Sequence, residues 1–219
     1  MSITYHAYQN RGYRFSVHEV LAEQWTALFK NYDPARIADI LHLKYDETYL
    51  YIPCMGEMYR LELSAGSLEK ETDDGWQGDL FFNESMCIYH LLHYTKDTPV
   101  VSGVWVPFES LEGQGQRKKL PDPLLVPFSK KFAGKTAELE KACKSLGETF
   151  LSKGDVSCEF EFFPGICLQL IFWDEDEDFP AQTQILADKT ITDFVHTETV
   201  GCMISELLEK IENRAAVFS

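Results

Sequence analysis

No reactive signature is complete in this chain. It has no GxSxG elbow, no HExxH pair and no full phosphate-binding loop, so no nucleophile, zinc-peptidase or nucleotide-hydrolase chemistry can be assigned from a local motif. Basic residues are scarce: 20 Lys plus Arg stand against 35 acids, a formal charge of −15. That balance excludes a phosphate backbone or an anionic membrane as the expected partner. Cys54, Cys87, Cys143, Cys158, Cys167 and Cys202 include no CxxC pair. Isolated among apolar neighbours, they read as small buried hydrophobes rather than ligands of a cluster or a structural zinc. No run approaches the roughly 20 apolar residues of a membrane span, and the opening MSITYHAYQNRGYR has no apolar signal core. A soluble, reduced, cytoplasmic protein is the expectation. No internal repeat is present.

At 219 residues with 45% hydrophobic content, the chain is long enough to bury one substantial core, and one domain over 1–219 is expected. Residues 17–31 carry Val20, Leu21, Trp25, Leu28 and Phe29 at helical spacing behind Ser16 as N-cap. A short helix follows Asp33-Pro34, with Ile37, Ile40 and Leu41 inward. From 43 to 71 the pattern turns to aromatic-rich strands joined by short turns, hence antiparallel hairpins. TDDGWQG at 72–78 reads as an exposed turn. A two-faced helix is predicted over 80–96, placed centrally, then a strand over 100–108. A Gly- and Pro-rich loop bearing Arg117-Lys118-Lys119 and two helical stretches lead to about Leu146. The spacing also predicts a short helix over 183–187. A C-terminal helix from Thr197 carries the stripe Val200, Met203, Ile204, Leu207, Leu208 and Ile211.

The most distinctive stretch is EFEFFPGICLQLIFWDEDEDFPA, from Glu159 to Ala181. Two strand-like runs meet at Pro164-Gly165 and end in five consecutive acids. Asp174, Asp176 and Asp178 have the one-three-five spacing of a calcium loop. However, Phe179 takes the place of the required glycine and Ile185 that of the bidentate glutamate, which rules out an EF-hand. A looser divalent-ion site from Asp174, Asp176, Glu177, Asp178 and Asp188 remains a candidate, against a solvated strand end. Ser129 to Thr136 ends in Gly-Lys-Thr but lacks the first loop glycine, so it fails as a phosphate cradle.

Cys87, His90 and His93 recur every three residues on the 80–96 helix. Their alternatives are packed, hydrogen-bonded histidines or ligands of a metal or tetrapyrrole. A pocket between this helix and the acidic hairpin would be lined by Met86, Tyr89, His90, His93, Tyr94, Trp105, Phe108 and Trp173, an aromatic set suited to a planar ligand.

The order of Asp33-Pro34-Ala35-Arg36-Ile37-Ala38, HLLHY, GVWVPFESL, the acidic hairpin and ILAD resembles a prokaryotic family catalogued as a domain of unknown function. The likeness runs from about Leu21 to Ile211, and its most specific part is P-x-I-x-L-x-L-x-x-W-x-x-D-E-x-F-P. The resemblance implies an anaerobic setting. Some members carry an appended four-cysteine iron–sulfur segment, lacking here, and some are encoded near corrinoid-dependent methyl-transfer systems. Together these readings give an α+β fold, an antiparallel sheet covered by helices. The leading functional expectation is a binding or accessory protein for a corrinoid or related tetrapyrrole, with His90 or His93 as axial ligand. The alternatives are a divalent-metal enzyme built on the acidic cluster and an acidic module for a basic protein partner. Oligomeric state stays open.

Overall fold

The computed structural model describes residues 19–111, 122–147 and 149–218. Ser16 and the basic cluster Arg117-Lys118-Lys119 lie outside the described residues. Two helices, α1 (Glu19–Leu28) and α2 (Ala35–Leu41), precede a meander of β1 (Lys44–Tyr45), β2 (Tyr49–Cys54), β3 (Glu57–Glu62), β4 (Leu68–Thr72) and β5 (Gly75–Gln77). Each of these strands pairs antiparallel with the next, in the order β1-β2-β3-β4-β5. Alternation along β2 buries Leu50, Ile52 and Cys54 and leaves Tyr49, Tyr51 and Pro53 half-buried, the pattern of a sheet covered on one face. The other face is held by Arg60, whose guanidinium lies 3.8 Å from the Tyr49 ring centre and 4.1 Å from that of Trp76 while pairing with Glu69. Trp76 therefore belongs to a strand. The expected exposed turn at 72–78 is confined to the bend before Gly75.

Helix α3 (Phe82–Tyr94) covers the meander and is buried on nearly every side from Phe82 to Leu92. Strand β6 (Trp105–Pro107), shorter than the sequence suggested, leads to α4 (Leu125–Phe132) and α5 (Thr136–Lys144). A second antiparallel sheet then forms from β7 (Thr149–Phe150), β8 (Val156–Phe163), β9 (Ile166–Trp173) and β10 (Gln182–Asp188), in the order β6-β10-β9-β8-β7. The Pro164-Gly165 link works as expected, with Phe163 paired to Ile166 and Gly165 at φ 74°. The helix expected over 183–187 is instead β10, held between β9 and β6. Its apolar run Ile185-Leu186-Ala187 suits either element, and pairing partners on both sides decide for the strand.

One device joins the sheets. Met55 and Gly56, both at positive φ (49° and 75°), form the two-residue turn between β2 and β3. The Met55 N–H donates to the Phe162 carbonyl at 2.8 Å. Phe162 sits where the β8–β9 register shifts between Glu161 and Phe163, and the irregularity frees that carbonyl for the other sheet. The last helix, α6 (Thr197–Phe218), packs on both α3 and α5. Its predicted stripe is fully buried, but so is everything from Thr199 to Leu208. α6 thus shares the central place expected of α3 alone. The apolar side chains of both layers form one continuous core.

Candidate functional site

The aromatic residues predicted to line one pocket divide between two places. Tyr89, His90, His93 and Tyr94 gather at the C-terminal end of α3, joined by two residues the sequence did not mark, Trp25 and His196. The Trp25 ring lies 4.7 Å from His90 and 5.5 Å from His93, centre to centre, and Tyr94 lies 5.3 Å from His196. Met86 and Tyr89 are buried, whereas His93 and Tyr94 face solvent. Phe108, Trp105 and Trp173 belong to the second sheet or its edge: Phe108 is buried, Trp173 is exposed at the end of β9, and Trp105 lines a separate small cavity together with Asp188.

His90 bonds through Nδ1 to the Thr199 hydroxyl at 2.6 Å. Burial, reinforced by His196 and His93, pushes its pKa down to about 3, so the ring is neutral at physiological pH. Burial also lowers the pKa of His93.

The acids at the end of β9 are turned to local work. Asp174 accepts from the Gly134 and Glu175 amides at 2.7 and 2.9 Å, and Asp176 accepts from those of Asp178 and Phe179. The Gly-Lys-Thr segment and Asp174 do meet, but as a carboxylate capping a backbone turn before α5. Asp188 stands apart, 7% exposed, and ties down 102–103 and 190. It accepts from the Ser102 hydroxyl at 2.9 Å, the Gly103 amide at 2.7 Å and the Thr190 amide at 2.8 Å. Burial raises its pKa, and the bonds from Thr190 and Ser102 outweigh that to leave it below the usual carboxylate value. Among the described residues no group of three or more His, Cys, Asp or Glu is placed to hold a metal ion.

A different site emerges where the two sheets join. The β2–β3 turn, the end of α5 at Ser145 to Gly147, and Lys210, Asn213 and Arg214 of α6 enclose a crevice of about 460 Å³. Glu57 in its wall is the hub of an ion-pair cluster. It accepts from Lys210 and from Lys70 at 3.0 Å, and the Tyr59 hydroxyl oxygen lies 3.2 Å away. Lys70 also reaches Glu84 at 2.9 Å, and the Tyr59 hydroxyl donates to Glu84 at 2.6 Å.

One turn before Lys210, Glu206 is only 9% exposed. Burial, then Glu84 and Glu209, push its pKa up to about 8 against the opposing pull of Lys210 and Lys70. Burial raises the Glu57 pKa, but Lys210 and Lys70 outweigh it and leave that group low. Lys210 and Lys70 thus converge on Glu57, and Lys70 on Glu84 as well, beside an acid whose pKa is raised to about 8. Nothing in the sequence marked these residues, because Glu57 and Lys210 are 153 positions apart. The one available signal was an acid in the most apolar part of the last helix.

Residues 33–209 match the family model described as Domain of unknown function (DUF3786), so the chain belongs to that family. Neither the curated proteins nor the solved structures give a match.

Proposed function

We propose that this DUF3786 protein is a small-molecule-binding protein whose ligand occupies the crevice between the β2–β3 turn, the end of α5 and α6. The observation that carries this reading is the charged cluster in its wall. Half-buried ion pairs of this kind add little to the stability of the fold, because desolvation offsets much of their attraction. A carboxylic acid held near pKa 8 beside a ligand-sized cleft is the kind of group that binding sites retain. Thermal melts against a library of metabolites sorted by charge test it, since a ligand of the native state must raise the melting temperature. The reading stands if a stabilising compound loses its effect when Asn213→Trp fills the crevice, and fails if every stabilising compound is indifferent to that change.

A second reading keeps the tetrapyrrole, and one observation favours it. His93 presents an exposed imidazole, its pKa lowered, between the edges of Trp25 and Tyr94. Such a ring fits an axial ligand, and a corrinoid would supply the organometallic chemistry of its cobalt. His90 does not fit, because its ring is 5% exposed and bonded to Thr199. Visible spectra of cobalamins mixed with wild type and His93→Ala decide: a wild-type shift lost in the variant supports this reading, and unchanged spectra remove it.

A further inference from the structure

We infer that the crevice takes a small organic anion, a carboxylate or a phosphate ester, gripped by Arg214 and Lys210. This rests on the crevice being the binding site and names the chemical class it selects.

The charge balance of the walls carries the inference. In a chain of net charge −15, this cleft is lined by two cations, Lys210 and Arg214, and by one anion, Glu57. Arg214 makes no ion pair among the described residues, and Asn213 stands beside it as a second donor. A guanidinium with no ion-pair partner offers the two-pronged N–H edge that a carboxylate or phosphate accepts from.

Lys210 is also available for transfer. If its ammonium turns to a ligand, Glu57 keeps its ion pair with Lys70 at 3.0 Å, so this half-buried carboxylate is not left unpaired. The C-terminal end of α5 opposes an anion with about half a negative charge. Its last carbonyls are already engaged by the Ser145, Leu146 and Gly147 amides and the Ser145 hydroxyl. Half a charge does not cancel the surplus cation.

The same geometry couples binding to a proton. Glu206 is faced by Glu84 and Cys87 of α3, Cys54 of β2, Lys70 of β4, and Cys202, Glu209 and Lys210 on its own helix. Ionisation of Glu206 would place a carboxylate one turn from Lys210 and draw the ammonium back from a bound anion. Anion affinity therefore falls as pH rises through about 8.

Calorimetric titration with succinate and with inorganic phosphate at low salt tests this, and succinate serves the pH series because both its carboxyls are ionised throughout. Saturable binding is expected at pH 6.5, weakened about tenfold or more by Arg214→Gln without change in the melting curve of the free protein. Roughly fivefold weakening is expected in wild type between pH 6.5 and 9, and none in Glu206→Gln. Binding of phosphate alone selects the phosphate ester, and of succinate alone the carboxylate. Titrations indifferent to Arg214→Gln overturn the anion assignment, and a pH-independent wild type overturns the proton coupling. If neither anion binds while a neutral or cationic compound does, and Asn213→Trp abolishes that binding, the anion class is wrong and the crevice reading survives. If Asn213→Trp affects no ligand at all, both fall.

Discussion

Replacing Glu206 by Gln should make the protein more stable, and increasingly so as the solution becomes more alkaline. In the unfolded chain this carboxyl ionises around its ordinary value of 4.5, and in the folded protein at about 8. A raised folded-state pKa means that stability is fully present below pH 4.5 and lost as pH climbs towards 8, because only the unfolded state releases the proton easily. Each pH unit between those limits is worth about 1.4 kcal/mol. At pH 7 the accumulated loss is about 3 kcal/mol, and above pH 8 it levels off near about 5 kcal/mol. Glutamine has nearly the same shape and no proton to lose, so the variant escapes this loss. Melting curves of both proteins from pH 4.5 to 9 should coincide at the acid end. They should diverge by roughly 6–12 °C at pH 7, using about 2–4 °C per kcal/mol for a chain of this size. Every other titrating group contributes equally to both proteins and cancels in the difference. Parallel curves, or a variant less stable by a constant amount, would refute the account of Glu206 as a buried protonated acid.

Three further outcomes follow from the same structure. His90 has its pKa lowered from 6.5 to about 3, so its contribution is present above pH 6.5 and lost as pH falls, by about 2 kcal/mol at pH 5; His90→Gln should flatten acid denaturation over that range in chemical melts. Gly66 at φ 75° lies so close to the Thr26 carbonyl and the Lys30 amide that a Cβ would sit 2.8 Å from the latter and nearer still to the former. Gly66→Ala should cost about 3 kcal/mol or more through strain and overlap, and limited proteolysis should show new cuts within α1. Tyr89→Phe deletes a buried hydroxyl that donates to the Gly66 carbonyl at 2.8 Å and should cost about 1–2 kcal/mol in urea titrations, with α1 loosened less than in the glycine variant.

Much of the fold is legible in the residues because local pattern and tertiary pairing agree there. The stripe from Val200 to Ile211, the Pro164-Gly165 hairpin and the antiparallel strands over 43–71 all reappear in the structure, the first run divided into β1 and β2. β10 is illegible because its apolar run Ile185-Leu186-Ala187 suits helix or strand alike, and its place between β9 and β6, the latter more than seventy residues earlier, is what selects the strand. β5 is three residues long and is fixed by Arg60 stacking on Trp76, a contact across two strands that no window of sequence displays.

The histidines were visible as chemistry, but the sequence could not show that His90 turns into the core and His93 out of it. The crevice was hidden for a different reason. Lys210 and Arg214 lie on the polar flank of the last helix, and the sheet-joining turn at Met55 brings Glu57 against Lys210.

The burial of the first half of α6 on all sides also sets a timetable for synthesis. The meander and α3 are complete at Tyr94, yet the helix that closes over both layers begins only at Thr197. At about 5–20 residues per second, ribosomal elongation leaves the apolar faces of α3 and the first sheet without that cover for roughly 5–20 s. A nascent chain arrested in that interval displays its core to the cell and is a natural client for chaperones that hold exposed apolar surface.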